Sequence, residues 1–180
     1  MDISLLLWIA FALGVFWCVG LYNRLMRLRA RAMEVLLALE KHVLACSDLV
    51  SGHLTIGALL GAAEVDPEWR QVLKAAQNLD KLLRAPHPAL LSERAIAPFA
   101  AGWAELDAAW QVAADQLNDL AGPVVPPELA QAWDAASLKV RVVQGGYAQI
   151  AERYNASIVE FPARLVTGLF GFTPAGQFFT

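Results

Sequence analysis

Two side chains one helical turn apart could hold a transition metal. His42 and Cys46 stand at i and i+4, and a single zinc ion could reach both. His53 shares their apolar stripe but lies about two turns beyond Cys46, too far to join them on a straight helix. His87 stands between Pro86 and Pro88, and no second His or Cys cluster exists. Packing is the commoner fate of such residues on an apolar face, so the expectation is neither metal nor cofactor. The carboxylates are scattered as Glu105 and Asp107, Asp115 and Asp119, Glu128 and Asp134, and Glu152 and Glu160. Asp115 and Asp119 are one turn apart. Acid–base catalysis would need a pocket and perturbed pKa values, and a solvated acidic face is the plainer reading. No Gly-rich phosphate loop, nucleophile elbow or H-E-x-x-H is present, so the chain is not expected to be an enzyme.

The basic residues point elsewhere. Arg24, Arg27, Arg29 and Arg31 directly follow a run from Ile3 to Asn23 that has no charged residue. About 20 apolar residues suffice to cross a bilayer core as a helix, and in hydrocarbon a helix satisfies its own backbone. Ile3, Leu7, Trp8, Phe11 and Trp17 supply apolar area, and Tyr22 stands at the exit, where an interfacial aromatic belongs. The N-terminus carries Asp2 and no basic residue, and no small-x-small cleavage pattern follows. An uncleaved anchor is therefore expected rather than a signal peptide. Under the positive-inside rule the arginines place everything after Tyr22 in the cytoplasm, with the N-terminus outside. They could also pair with anionic membrane lipid.

Composition agrees. The 180 residues are 57% hydrophobic with formal net charge -3, and the mean hydropathy of +0.44 is high for a soluble domain. Residues 1–41 carry five basic and three acidic side chains, whereas 42–180 carry nine basic and fourteen acidic ones. An acidic body without basic patches interleaved with aromatics predicts no nucleic-acid partner. Cys18 and Cys46 make no disulfide framework, which suits a reducing compartment.

The elements that position these residues read as helices throughout. A three-four stripe runs Leu25, Leu28, Ala32, Val35, Leu39, His42, Cys46, Leu49, His53, Ile56 and Leu60, so the anchor continues into the body and should stop between Gly57 and Gly61. Asp66 as cap, Pro67 and Glu68 start a second helix, with Trp69, Val72, Leu73, Ala76, Leu79 and Leu83 inward and Pro86 and Pro88 as its end. A third starts near Ser92 with Ile96, Phe99, Trp103, Leu106, Trp110, Ala113, Leu117 and Leu120 inward, and with Pro98 in its first turns. After Gly122-Pro123 and Pro126-Pro127, a fourth carries Leu129, Trp133, Ala136, Val140, Val143, Tyr147, Ile150, Tyr154, Ile158 and Phe161. Gly145-Gly146 in its middle permit either a close helix approach or a kink.

The two ends of the chain resemble the LemA family. The stronger likeness is Tyr154-Asn155, then Phe161-Pro162, Leu165-Val166, Gly171-Phe172 and Phe178. The weaker is Leu21-Tyr22-Asn23-Arg24-Leu25, then Arg29 and Asp48-Leu49-Val50. Residues 60–140 match only as helical pattern. Ala45-Cys46 and Ser51 replace an Arg pair and a proline usual in that family, and Tyr147-Ala148 replaces a first Tyr-Asn pair. The resemblance implies a single-span membrane protein with a helical cytoplasmic domain and no biochemical activity assignable to particular residues.

The expected architecture is all-α. An N-terminal transmembrane helix (1–23) is continuous with an up-down bundle of about four long antiparallel helices (24–162). An irregular Gly- and Phe-rich tail (163–180) packs on that bundle or on a neighbouring subunit. The expected role is an inner-membrane structural or scaffolding protein that forms a homo-oligomer, with Phe170, Phe172, Phe178 and Phe179 as the contact. The alternatives are a membrane-tethered sensor or adaptor that binds a ligand or an unidentified protein partner in its bundle, and, less favoured, a metal-dependent enzyme.

Overall fold

A computed structural model describes residues 3–59, 67–85, 91–115, 125–160 and 163–178. Among them the chain is all-helical: α1 spans Ile3–Leu59, α2 Pro67–Arg84, α3 Glu93–Ala114, α4 Pro127–Val159 and α5 Ala163–Phe170. Helix α1 has 57 residues, about 85 Å at 1.5 Å per residue. Its first third is bare. Ile3, Trp8 and Phe16 are 77%, 70% and 81% exposed, and no residue of the most apolar stretch near the N-terminus is buried by the rest of the chain. The helix is long and apolar enough to cross a membrane.

The bundle begins at Leu25, the first fully buried side chain. Leu25, Ala32, Leu39 and Cys46 make one buried row, and Leu36, Val43 and Val50 make the second. The expected second row of Leu28, Val35, His42 and Leu49 is only half-buried. The same correction applies to α4, where Ser137 and Ala151 are buried and Ala136 and Ile150 half-buried. The physical reason is the width of the apolar stripe. It is three rows wide on α1 because both α4 and α2 pack there, so periodicity alone leaves its centre uncertain by one row. Each large apolar side chain so buried contributes roughly 1.5–3 kcal/mol.

The helix termini follow local chemistry. Pro67 and Glu68 open α2 while Lys81 and Arg84 close it, which complements the helix dipole. Arg84 Nε lies 2.8 Å from both Asp80 carboxylate oxygens one turn back. Ser92 is the N-cap of α3 in extended conformation. Pro98 lies inside that helix, and the Arg94 carbonyl loses its usual partner. Pro126 and Pro127 open α4, where a missing N–H costs nothing. Asp66, Leu60, Gly61, Pro86, His87, Pro88, Leu117, Asp119, Leu120, Gly122, Pro123, Phe161 and Pro162 lie outside the described residues.

Helix α1 packs along α4 and on α2, and α2 packs closely on α3. Gly102 permits the latter approach, since a Cβ there would stand 3.1 Å from Leu79 Cδ1. Gly145 and Gly146 do nothing comparable: a Cβ on either would meet nothing within 4 Å. Helices α3 and α4 meet through large side chains. Trp133 of α4 stacks on Trp110 and Trp103 of α3 at ring-centroid distances of 4.3 and 6.1 Å, both 15° from parallel. Trp69 of α2 meets the edge of Trp110 at 5.8 Å, and His53 of α1 lies 5.9 Å from Trp69.

Candidate functional site

Some of the residues singled out by the sequence, Arg24, Arg27, Arg31, Tyr22, Phe170 and Phe172, come together where α1 leaves its bare segment. Helix α5 is the first half of a tail expected to be irregular. Eight residues are too few for a periodic signal, and this helix is held from outside. Thr167 Oγ1 lies 3.1 Å from the carbonyls of both Ile158 and Arg164, tying α5 to the end of α4. Gly171 closes the helix at φ +66, and the Phe172 N–H donates to the Thr167 carbonyl at 3.1 Å. That is a Schellman close, for which glycine is the natural residue. The chain then reaches Tyr22, whose ring lies 5.0 Å from Phe170 and 5.9 Å from Phe172.

From there the tail runs back along α4 as a strap. Tyr154 Oη donates to the Thr173 carbonyl at 3.1 Å. Asn155 pairs with Ala175 twice: its Nδ2 donates to the carbonyl at 2.9 Å, and the Ala175 N–H donates to Oδ1 at 2.8 Å. Tyr147 Oη donates to the Gly176 carbonyl at 2.9 Å. The Gly176 N–H donates to the Leu91 carbonyl at 2.7 Å, crossing to the start of α3. A Cβ at Gly176 would lie 2.7 Å from Glu93 Cα, so only glycine fits there. Phe178 ends the strap buried, 4.9 Å from Phe99 and 6.3 Å from Tyr147. Burial pushes the Tyr147 phenol up to about 12. It raises Tyr154 too, against the opposing charge of Arg29.

The four phenylalanines expected to make an oligomer contact therefore have different surroundings. Phe178 faces its own core, Phe172 is half-buried, Phe170 is 58% exposed, and Phe179 lies outside the described residues. For residues 163–178 the tail packs on its own bundle.

A cleft of about 490 Å³ opens between α1 and α4, lined by Arg24, Arg27, Leu28, Arg31, Arg153, Ala156, Ser157 and Glu160. Three of the four arginines after the apolar run thus meet one that sequence reading passed over. Arg153 gave no signal because it is 122 residues from Arg31 in the chain. Arg29 does not line the cleft.

Elsewhere the chemistry is sparse. Among the described residues no three His, Cys, Asp or Glu side chains are placed to share a metal. Burial, and secondarily the Asp107 charge, push the Cys46 thiol up to about 12, with Arg141 opposing. That burial favours the protonated thiol over the thiolate. The pocket between Leu36, Leu83, Ile96 and Phe99 holds about 20 Å³, the scale of one water. No family model, curated protein or solved structure matches this chain.

Proposed function

We propose that this is a single-pass inner-membrane structural protein of the LemA type. Its first helix is held in the bilayer, and its bundle is presented on the cytoplasmic side as a rigid docking and self-assembly body. The observation that carries the reading is the single uninterrupted α1, uncovered and apolar up to Tyr22, then fully engaged in the bundle from Leu25. A bare apolar segment of that size would aggregate in water. The arginines that follow it support the cytoplasmic orientation, and Tyr22 with Phe170 and Phe172 gives an aromatic collar at the proposed interface. Of the residues that resemble the LemA pattern, Tyr154 and Asn155 of α4 hold the strap, and Gly171-Phe172 turns the chain into it. Self-association would use surface the strap leaves open, namely Phe170 and the Leu138–Val142 pair of α4, all more than half exposed.

The test is a C-terminal reporter. A fluorescent protein active in the cytoplasm should light up, and alkaline phosphatase, active only outside, should stay silent. The membrane fraction should resist carbonate extraction. The opposite reporter pattern would overturn the orientation, and carbonate release would overturn the span. For assembly, Phe170→Ser with Val142→Glu should lower the mass in detergent, and an unchanged mass would remove these surfaces from any interface.

A further inference from the structure

We infer that the cleft between α1 and α4 binds the phosphate groups of an anionic phospholipid and takes two phosphodiesters at once. The inference rests on the proposed membrane span. Four guanidinium groups and one carboxylate, Glu160, line the cleft. All four arginine side chains are exposed, and among the described residues none of them is ion-paired. Like charges gathered this way repel until an anion joins them. Guanidinium suits that anion, since its planar fork grips two phosphate oxygens at once.

Placement selects lipid over other phosphates. Arg24, Arg27 and Arg31 form one i, i+3, i+7 row that begins where the uncharged run ends. Arg27 and Arg31 sit about 4.5 and 10.5 Å further along the axis than Arg24. Side chains on α1 lean toward its N-terminus, back toward the bilayer. That brings the guanidiniums into a headgroup layer about 5–7 Å deep. Ser157 adds a hydroxyl donor. The lining carries a surplus of three positive charges, more than a single phosphodiester neutralises.

The test uses the full chain, by native mass spectrometry in detergent and by flotation with phosphatidylcholine vesicles. The probes are diphosphatidylglycerol, phosphatidylglycerol and soluble pyrophosphate. Diphosphatidylglycerol should bind about tenfold tighter than phosphatidylglycerol, as one further charge-assisted contact gives. Arg153→Ala should lose about that factor and Arg153→Lys part of it, while Arg29→Ala changes little. Equal losses for Arg153→Ala and Arg29→Ala would overturn the site in favour of a diffuse basic collar. Pyrophosphate displacing the lipid at equal concentration would overturn the lipid assignment. A chain that fails to float with vesicles would overturn the span, and this inference with it. A chain that floats but shows no lipid preference would overturn the cleft alone.

Discussion

At the end of the bundle nearer the bare segment, α3 and α4 are joined by the C-terminal strap. At the far end they are joined by tryptophans. The strap works through directed bonds: the polar atoms of Tyr147, Tyr154 and Asn155 each find a backbone partner. The tryptophan end works through area. Trp133 Nε1 and Asp107 Oδ1 are buried there without a hydrogen-bond partner among the described residues, and burial raises the Asp107 carboxyl while Arg141 opposes. The first kind of join fixes one register, because a slipped strap strands its polar groups. The second tolerates sliding, because stacked rings lose little when offset.

The largest expected effect lies at the tryptophan end. Trp133→Ala should cost about 3–5 kcal/mol, read as a lower urea midpoint, with amide exchange at Ala175 and Gly176 rising only as global stability falls. Asn155→Ala should cost about 2 kcal/mol, one for each lost bond, and should accelerate exchange at Ala175 and Gly176 ahead of the core. The double variant should be additive within about 0.5 kcal/mol if the two joins are independent. Strong coupling would show the far end to be propped by the strap, and the contrast would fail.

Smaller effects sharpen the contrast. Tyr147→Phe should cost about 1 kcal/mol and change the alkaline limb. In the fold the Tyr147 phenol is raised from 10.0 and the Cys46 thiol from 9.0, both to about 12. The unfolded chain therefore ionises first. Stability is fully present below pH 9 and is lost as pH rises toward about 12. Urea midpoints across that range should fall less steeply in Tyr147→Phe and in Cys46→Ala. Gly145→Ala and Gly146→Ala should each stabilise α4 by up to about 1 kcal/mol, since an added methyl meets open space. A loss instead would reveal an unseen partner on that face.

Much of this arrangement was legible in the sequence. The four long helices followed from three-four spacing, and their starts from Pro67, Ser92 and Pro127. The row centres on α1 and α4 were misjudged by one position because adjacent rows, such as Val35 and Leu36, are equally apolar. Tyr154 and Asn155 stood out through the likeness to the LemA pattern, but their partners Thr173 and Ala175 contribute backbone atoms, which carry no residue-type signal. Gly176, where only glycine fits, looked like one more loop glycine. Gly145 and Gly146 looked meaningful and meet nothing. Arg153 could not be linked to the other arginines, because a cleft between two helices is a property of their register.

The absence of any break in α1 has a mechanical result. Residues 23–59, 37 in all, lie beyond Tyr22, roughly 55 Å of helix with no hinge. In a bilayer, tilt answers hydrocarbon thickness, typically near 20°. Such a tilt swings the far tip sideways by about 19 Å. A thinner membrane would lean the pointer further, and the tryptophan end would sweep across the membrane face like the tip of a gauge needle.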